Sequence, residues 1–458
     1  MLQSAHLCRR RNRARTFGRY DNGMTKQTTN DQRLFASSVT RRFLRQDGPL
    51  HMKGGEMWIE GLSCREMAKP LGTPLLIYSS ARVRDNIAAV AAAAEASPWP
   101  VRIHFALKAC YLAGVVSLLQ QAGLNVEVMS EYEYVLARRI GFSPNQVIVN
   151  GPAKRPEFLE RAVIDGVALI NVESLSEMTF LQGLGQRLGR IIEVGIRINP
   201  LLSQRLRGPF TPPGSKFGFD VPSGEAAAAV KRIARSRSLS LQAVHCHGYT
   251  RQYRPDAHRA QVAAVVKFLR GVEADLGIRI PVLDFGGGFG SRYLMEAHGW
   301  TFQQFMREML DPLAGLPGDR QVIIEPGRYL VNDTAACLTS VLTCKRTVHR
   351  RWVLVDTGRH ILPPRENAEY VVMPCQASPG RTVYHVGDFL CVPSEPVPLS
   401  VVGGVMRPGD LLAVFNAGAY TFSMAQNFGE PIPNAILVDK GEWRWLFKKR
   451  SVEEQFMR

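Results

Sequence analysis

Ile103-His104-Phe105-Ala106-Leu107-Lys108-Ala109-Cys110 is the stretch whose reading decides the fold. Apolar, β-prone residues lead up to one lysine, and a helix-forming segment, residues 112–121, follows at once. A lysine at the end of a buried strand is costly, because its ammonium loses water. Such a charge is paired or put to chemistry. Desolvation lowers the pKa of the amine and frees it to attack a carbonyl, which is how Schiff-base lysines arise. Taken alone, the string reads more simply as a strand end whose lysine reaches solvent, so the rest of the chain has to decide.

Outward from this stretch the chain alternates. Apolar strand-like runs occur at residues 104–108, 126–129, 147–150, 168–172, 194–198, 241–247, 282–285 and 322–325. Amphipathic or Ala/Leu-rich helical segments, such as 132–140, 156–164, 225–235 and 257–276, lie between most of them. Eight strands with helical crossovers imply an α/β protein built on a (β/α)8 TIM-type barrel, with an open doubly wound sheet as runner-up. After Arg328 short β-prone segments (353–355, 384–386, 413–415, 435–438) alternate with turn signals such as Pro408-Gly409-Asp410. That texture implies an all-β C-terminal domain. The strand near Trp58 is expected to join it, because the barrel begins only afterwards. The expected boundaries are a disordered basic extension over 1–52, a leading strand and helix over 53–74, the barrel over 75–330 and the β-domain over 331–458.

Bulk properties narrow the function classes. At 458 residues the chain exceeds one ordinary core. The formal net charge of +17 invites a nucleic-acid partner. Much of the excess, however, is carried before residue 50 by Arg9, Arg10, Arg11, Arg13, Arg15, Arg19, Lys26, Arg33, Arg41, Arg42 and Arg45. The remainder shows no basic stripe interleaved with aromatics, which argues against nucleic acid. No apolar run approaches the roughly 20 residues a membrane helix needs. The eight cysteines form no CxxC pair, which fits a reduced, cytoplasmic protein. The Arg-rich start has no secretory apolar region. It is faintly like a transit peptide, and a start codon assigned upstream of Met52 explains it equally well.

Barrel enzymes collect reactive groups at the C-terminal ends of their strands. Here those ends carry Lys108, Glu127 with Ser130, Asn150-Gly151, Arg197 with Asn199, His247, Gly286-Gly287-Gly288 and Glu325-Pro326-Gly327-Arg328. The glycine run can turn successive N–H groups toward an anion, and Arg328 suits a phosphate. By itself the run is also a plain tight turn. It lacks the G-x-G-x-x-G dinucleotide spacing. Glu325 ends an Ile-Ile run and needs a cationic partner, for which a protonated ring nitrogen would serve. His245-Cys246-His247 offers two metal ligands on one strand face, but no third or fourth follows at a recognisable spacing, so no metal is expected.

Together these residues match a family. The chain resembles the fold-type III, pyridoxal-phosphate (PLP)-dependent amino-acid decarboxylases of the ornithine, arginine and diaminopimelate group. The resemblance runs from about Trp58 to Phe447. It is carried by Phe105-Ala106-Leu107-Lys108-Ala109, Glu127-Val128-Met129-Ser130-Glu131-Tyr132-Glu133, His245-Cys246-His247, Gly286-Gly287-Gly288, Glu325-Pro326-Gly327-Arg328, Cys391 and Asn416-Ala417-Gly418-Ala419-Tyr420. The resemblance implies a barrel plus a β-domain, PLP as cofactor, an amino-acid substrate and a homodimer whose active sites are built at the interface. It implies that Lys108 is the Schiff-base lysine, that His247 stacks on the cofactor ring and that Glu325 faces the ring nitrogen. Gly286, Gly287, Gly288, Gly327, Arg328 and Tyr420 match the phosphate region, with Thr250 in the place of a serine. Arg197 and Glu127 match further residues lining the cofactor, and Cys391 matches the cysteine that reaches into the other subunit and returns a proton to the product.

The chain also departs from that pattern. Where the family reads His-x-Gly-Ser-Gln, it has His247-Gly248-Tyr249-Thr250-Arg251. Val392, not an acid, follows Cys391, and Leu362-Pro363-Pro364-Arg365-Glu366 replaces the Arg-Pro-x-x-Tyr substrate segment. These changes point away from plain ornithine or diaminopimelate and toward the branch acting on modified or carrier-linked amino acids in siderophore and antibiotic assembly. An amino-acid racemase on the same scaffold and a catalytically silent regulator are the alternatives.

Overall fold

The computed structural model describes residues 49–200, 202, 208–363, 369–392 and 399–457. Strands β1 (Leu50–Lys53), β2 (Glu56–Ile59) and β3 (Leu62–Ser63) form a small antiparallel sheet. Helix Cys64–Leu71 follows, with Ser63 Oγ accepting from Glu66 N at its start and Cys64, Met67 and Leu71 buried along one stripe. Next come β4 (Leu75–Ser79) and helix Ser80–Glu95.

The barrel is β5 (Val101–Ala106), β6 (Asn125–Val128), β7 (Val147–Val149), β8 (Leu169–Val172), β9 (Ile192–Asn199), then, beyond the two-residue β10 (Phe219–Asp220), β11 (Leu239–His245), β12 (Val282–Asp284) and β13 (Gln321–Ile324). Neighbours pair in parallel, and the pairings β8–β9 and β13–β5 close the ring. All eight expected barrel strands are present. Serine caps start the crossover helices Glu131–Ile140 and Leu175–Leu188 (Ser130 and Ser174), and the first ends at Gly141, whose φ of 114° a side chain would resist.

Side chains alternate along a strand, and here the alternation separates two layers inside the barrel. Ile148, Leu169, Ala243 and Ile323 pack together as an apolar floor. Two residues further along the same strands stand Asn150, Asn171, His245 and Glu325, all buried, with Asp284 of β12 beside them. The sequence thus places a polar layer directly above the floor, at the strand ends.

The second domain holds β14 (Ala335–Arg346), β15 (Arg351–Val355), β16 (Val371–Pro374), β17 (Thr382–Asp388), β18 (Leu399–Gly403), β19 (Leu411–Phe415), β20 (Asn434–Asp439) and β21 (Glu442–Phe447). One element differs from the sequence expectation. β4, assigned to the barrel by the boundary at residue 75, lies inside this sheet, antiparallel to β14 (Ile77 opposite Ala336) and parallel to β20. Its two faces are both covered: Leu76 and Tyr78 join the main core, Leu75 and Ile77 the core beneath the small sheet. An unbroken apolar run therefore results, as in a barrel strand. The strand at Trp58 stays outside the large sheet but docks on its domain. Met57 N donates to Cys375 O at 2.9 Å and Ala377 N to Gly55 O at 2.7 Å. The basic extension falls on residues 1–48, outside the described residues, and its expected end at 52 is too late because β1 begins at Leu50. Among the described residues no helix is long and apolar enough to cross a membrane.

Candidate active site

Lys108 sits in the single turn Leu107–Ala109 that ends β5. The second domain clasps this turn: Tyr420 N donates to Ala109 O at 2.7 Å, and Ser423 Oγ donates to Lys108 O at 2.8 Å. The Lys108 ammonium pairs with Glu127 at the end of β6. Glu127 is 1% exposed and Lys108 29%, so the pair opens to solvent on the lysine side. Burial works against the charge on Lys108, but Glu127, with Glu325 and Glu133 further off, outweighs it and holds the amine above the usual lysine range. The lowered pKa expected from desolvation is therefore absent, because a carboxylate meets the lysine.

His247, just past β11, accepts at Nδ1 from Gly287 N (3.1 Å) and lies 5.0 Å from Phe210, ring centre to ring centre. Burial and the nearby Arg197 guanidinium keep it neutral, well below the usual histidine range. Arg197 donates to Glu173 at 2.9 Å and to the His247 carbonyl at 3.3 Å, with its plane over Phe217. The glycine run has no room for side chains. A Cβ at Gly286 would stand 2.7 Å from His247 Nδ1, at Gly287 2.3 Å from Glu325 O, and at Gly288 2.5 Å from Tyr249 O. Gly327 packs on Ala106 and Ala109. Thr250 lies two residues before Gln252, whose N–H donates to Gly288 O at 2.9 Å. Arg328 lies over the Tyr420 ring, 5.1 Å from guanidinium carbon to centroid.

Glu325 follows β13 into the polar layer, where Asn150 Nδ2 donates to it at 2.6 Å. Burial and the neighbouring Asp284 and Glu127 carboxylates push it well above the usual range. His245, Asp284 and Glu325 come within 4.8 Å of one another, a grouping the metal reading of His245 with His247 did not anticipate. Three of the carboxylate oxygens are already taken by N–H donors from Gly286, Asn171 and Asn150. That is the surrounding of carboxyl groups rather than of a cation.

Twelve of the thirteen expected site residues gather on this rim. Cys391 is exposed in the second domain, and no hydrogen bond or ion pair joins it to the Lys108 cluster among the described residues. Sequence reasoning missed Glu369, whose carboxylate takes hydrogen bonds from Tyr253 Oη (2.5 Å) and Asn332 Nδ2 (2.6 Å) and which lines a cavity with Arg251, Arg328, Tyr370 and Asn416. It missed Asn171 and Asp284 as well. A polar residue interrupting the apolar run 168–172 was the available signal for Asn171. Arg251, Asn416 and Tyr420, three of the five described non-glycine residues with left-handed backbone, cluster here too.

Residues 83–332 match the family model for the pyridoxal-binding domain of pyridoxal-dependent decarboxylases. The chain belongs to this decarboxylase family. A diaminopimelate decarboxylase from Actinosynnema pretiosum is 31% identical over 421 residues, 89% of this chain and 93% of the relative. An L-glutamyl-BtrI acyl-carrier protein decarboxylase from Niallia circulans is 28% identical over 375 residues, 77% of this chain and 86% of the relative. The crystal structure of a diaminopimelate decarboxylase from M. jannaschii superposes with a TM-score of 0.80 at 24% identity, over 89% of this chain and 96% of that one, and shares the fold. The decarboxylase is a PLP-dependent carboxy-lyase acting on an amino acid, and these likenesses favour that activity over racemisation or a silent regulator.

Proposed function

We propose that PLP sits on the rim around Lys108, and that the decarboxylase removes the α-carboxylate of an amino-acid conjugate whose far end is not a free ammonium. The residues suit the cofactor. Gly286 to Gly288 form a loop that only glycine can follow, because a Cβ at each would strike His247, Glu325 or Tyr249; Arg328 brings a guanidinium suited to the phosphate, and Lys108 offers an amine to the aldehyde. Glu325 is a buried carboxylate without a cationic partner in its own layer, which a protonated ring nitrogen would supply. Bound there, PLP supplies the electron sink that decarboxylation at Cα requires. The chain's part is to orient and to manage protons. Glu325 would keep the ring nitrogen protonated, and His247, whose Nδ1 accepts from Gly287 N, would help hold the cofactor, while Arg197 steadies His247 by donating to its carbonyl. Cys391 returns a proton from the other subunit of a homodimer. The exposure of Cys391, and of Met129 (44%) and Tyr132 (68%) beside the Lys108–Glu127 mouth, supports a partner surface there. A reducing, cytoplasmic setting fits the free thiols of all seven described cysteines.

One observation carries the substrate reading. Leu362, in the segment where the resemblance calls for an arginine, is fully buried in the main core and presents no charge to a substrate. Arg251 meanwhile replaces a neutral glutamine and lines the cavity with Arg328. The likeness to an enzyme named for a carrier-linked glutamyl substrate points the same way. The test is a mass-spectrometric screen for loss of one carbon dioxide from diaminopimelate, ornithine, lysine and carboxylate-bearing amino-acid conjugates. The conjugates should have the higher kcat/KM. Free diaminopimelate turned over as well as any conjugate would overturn the reading.

A further inference from the structure

The polar layer closes into a ring of four side chains. Asn171 Nδ2 donates to Asn150 Oδ1 at 2.8 Å and to Asp284 Oδ2 at 3.3 Å, and Asn150 Nδ2 donates to Glu325 Oε1 at 2.6 Å. On the fourth side the buried carboxyl groups of Asp284 and Glu325 face each other, with an oxygen of each within 4.8 Å of the other. The nearby cations are engaged elsewhere: Lys108 with Glu127, Lys154 with Glu177, Arg197 with Glu173. Two buried carboxylates this close, with those cations engaged elsewhere, repel each other unless a proton is held between them.

We propose that Asp284 is a positioning residue for the decarboxylase: it holds one proton in common with Glu325 and thereby sets the charge that Glu325 presents to the cofactor's ring nitrogen. The proposal rests on the reading of Glu325 as the partner of that nitrogen. The ring is built rather than incidental. A Cβ at Gly195 would fall 1.9 Å from Asn171 Oδ1, so only glycine leaves Asn171 its place. Gly286 N donates to Asp284 Oδ1 at 2.9 Å, which ties the acid to the first glycine of the run. The charged and titratable groups facing the pair are Glu127, Lys108 and His245, the last 4.0 Å from Glu325 and kept neutral by burial. Burial lifts Asp284 to about 7 against the opposing pull of the Gly286 N–H, and burial with the neighbouring Asp284 lifts Glu325 well above the usual carboxylate range, the direction a shared proton requires.

Difference infrared spectroscopy of the cofactor-free protein tests this without any turnover. Wild type at neutral pH should show the carbonyl stretch of one buried, protonated carboxyl group, lost as pH rises. Asp284→Asn and Glu325→Gln should each abolish it, because the surviving carboxylate then faces a carboxamide N–H and ionises. In the loaded enzyme, Asp284→Asn should also move the pH midpoint of the PLP absorbance, which a purely structural residue would leave in place. A band missing from wild type, or one that persists in Asp284→Asn, overturns the shared proton; the wild-type titration decides even if a variant does not fold. Borohydride reduction in the presence of PLP, followed by peptide mapping, reports separately on the cofactor site. A label away from Lys108 would reject that reading and leave the infrared result standing.

Discussion

The ammonium of Lys108 is held by the carboxylate of Glu127, one strand away in the barrel, and that pairing rather than burial sets the charge of the lysine. The two positions are fixed by register: Ala106 of β5 lies opposite Glu127 of β6, and the turn that follows β5 brings Lys108 over it. The pairing favours the protonated amine, which must lose that proton before it can attack a carbonyl.

This arrangement predicts a pH effect of definite sign. Glu127→Gln removes the largest influence raising the Lys108 pKa and leaves the downward pull of burial less opposed. The deprotonated fraction at a given pH then rises. Covalent loading of PLP, followed as borohydride-fixed label at Lys108, should shift to lower pH in the variant. An unchanged profile would mean that Glu127 does not govern the lysine.

Much of this was legible in the chain. The eight barrel strands announce themselves because parallel strands are covered on both sides and read as apolar runs. The same property misplaced β4. Its partners Cys337 and Ala435 lie hundreds of residues downstream, and nothing local distinguishes a strand buried between two cores from one in a barrel wall. Lys108, Glu325 and the glycines stood out through residue type at strand ends. Asn171 and Asp284 did not, because their role depends on which way a strand's side chains point and on a ring closed between β7, β8, β12 and β13. Glu369 gave no sign at all; Tyr253, Asn332 and Asn416, which meet it, come from three separate parts of the chain.

Glu325→Gln preserves shape and removes the negative charge held in reserve for the ring nitrogen. Transition-state stabilisation of this electrostatic kind is large, so kcat should fall about a hundredfold or more. PLP should still be fixed to Lys108 by borohydride. Turnover close to wild type would show that the electron sink does not depend on this carboxylate.

Gly287→Ala tests the cradle. The added methyl would lie 2.3 Å from the carbonyl oxygen of Glu325, which is backbone and cannot swing aside. The glycine loop must therefore move away from β13, carrying its N–H groups with it. PLP affinity, measured by equilibrium dialysis, should weaken at least about tenfold, with a loss of stability of about 1–3 kcal/mol. Tight PLP binding in this variant would place the cofactor elsewhere.

The most demanding prediction concerns Lys108 and Cys391 together. Lys108 lies at the barrel mouth and Cys391 on the exposed surface of the β-domain, with no hydrogen bond or ion pair joining the two among the described residues. If each site of a homodimer takes Lys108 from one subunit and Cys391 from the other, Lys108→Ala and Cys391→Ala homodimers should each be nearly inactive. Mixed under conditions that allow subunit exchange, half of the dimers become hybrids, and each hybrid has one site with both native residues. Recovered activity should then approach about a quarter of wild type. Cys391→Ala alone should also misplace the proton and yield some carbonyl product with pyridoxamine phosphate in place of amine. Native mass spectrometry would confirm that exchange took place. Recovery near zero in an exchanged sample would put both residues in the same subunit's site, or remove Cys391 from the reaction.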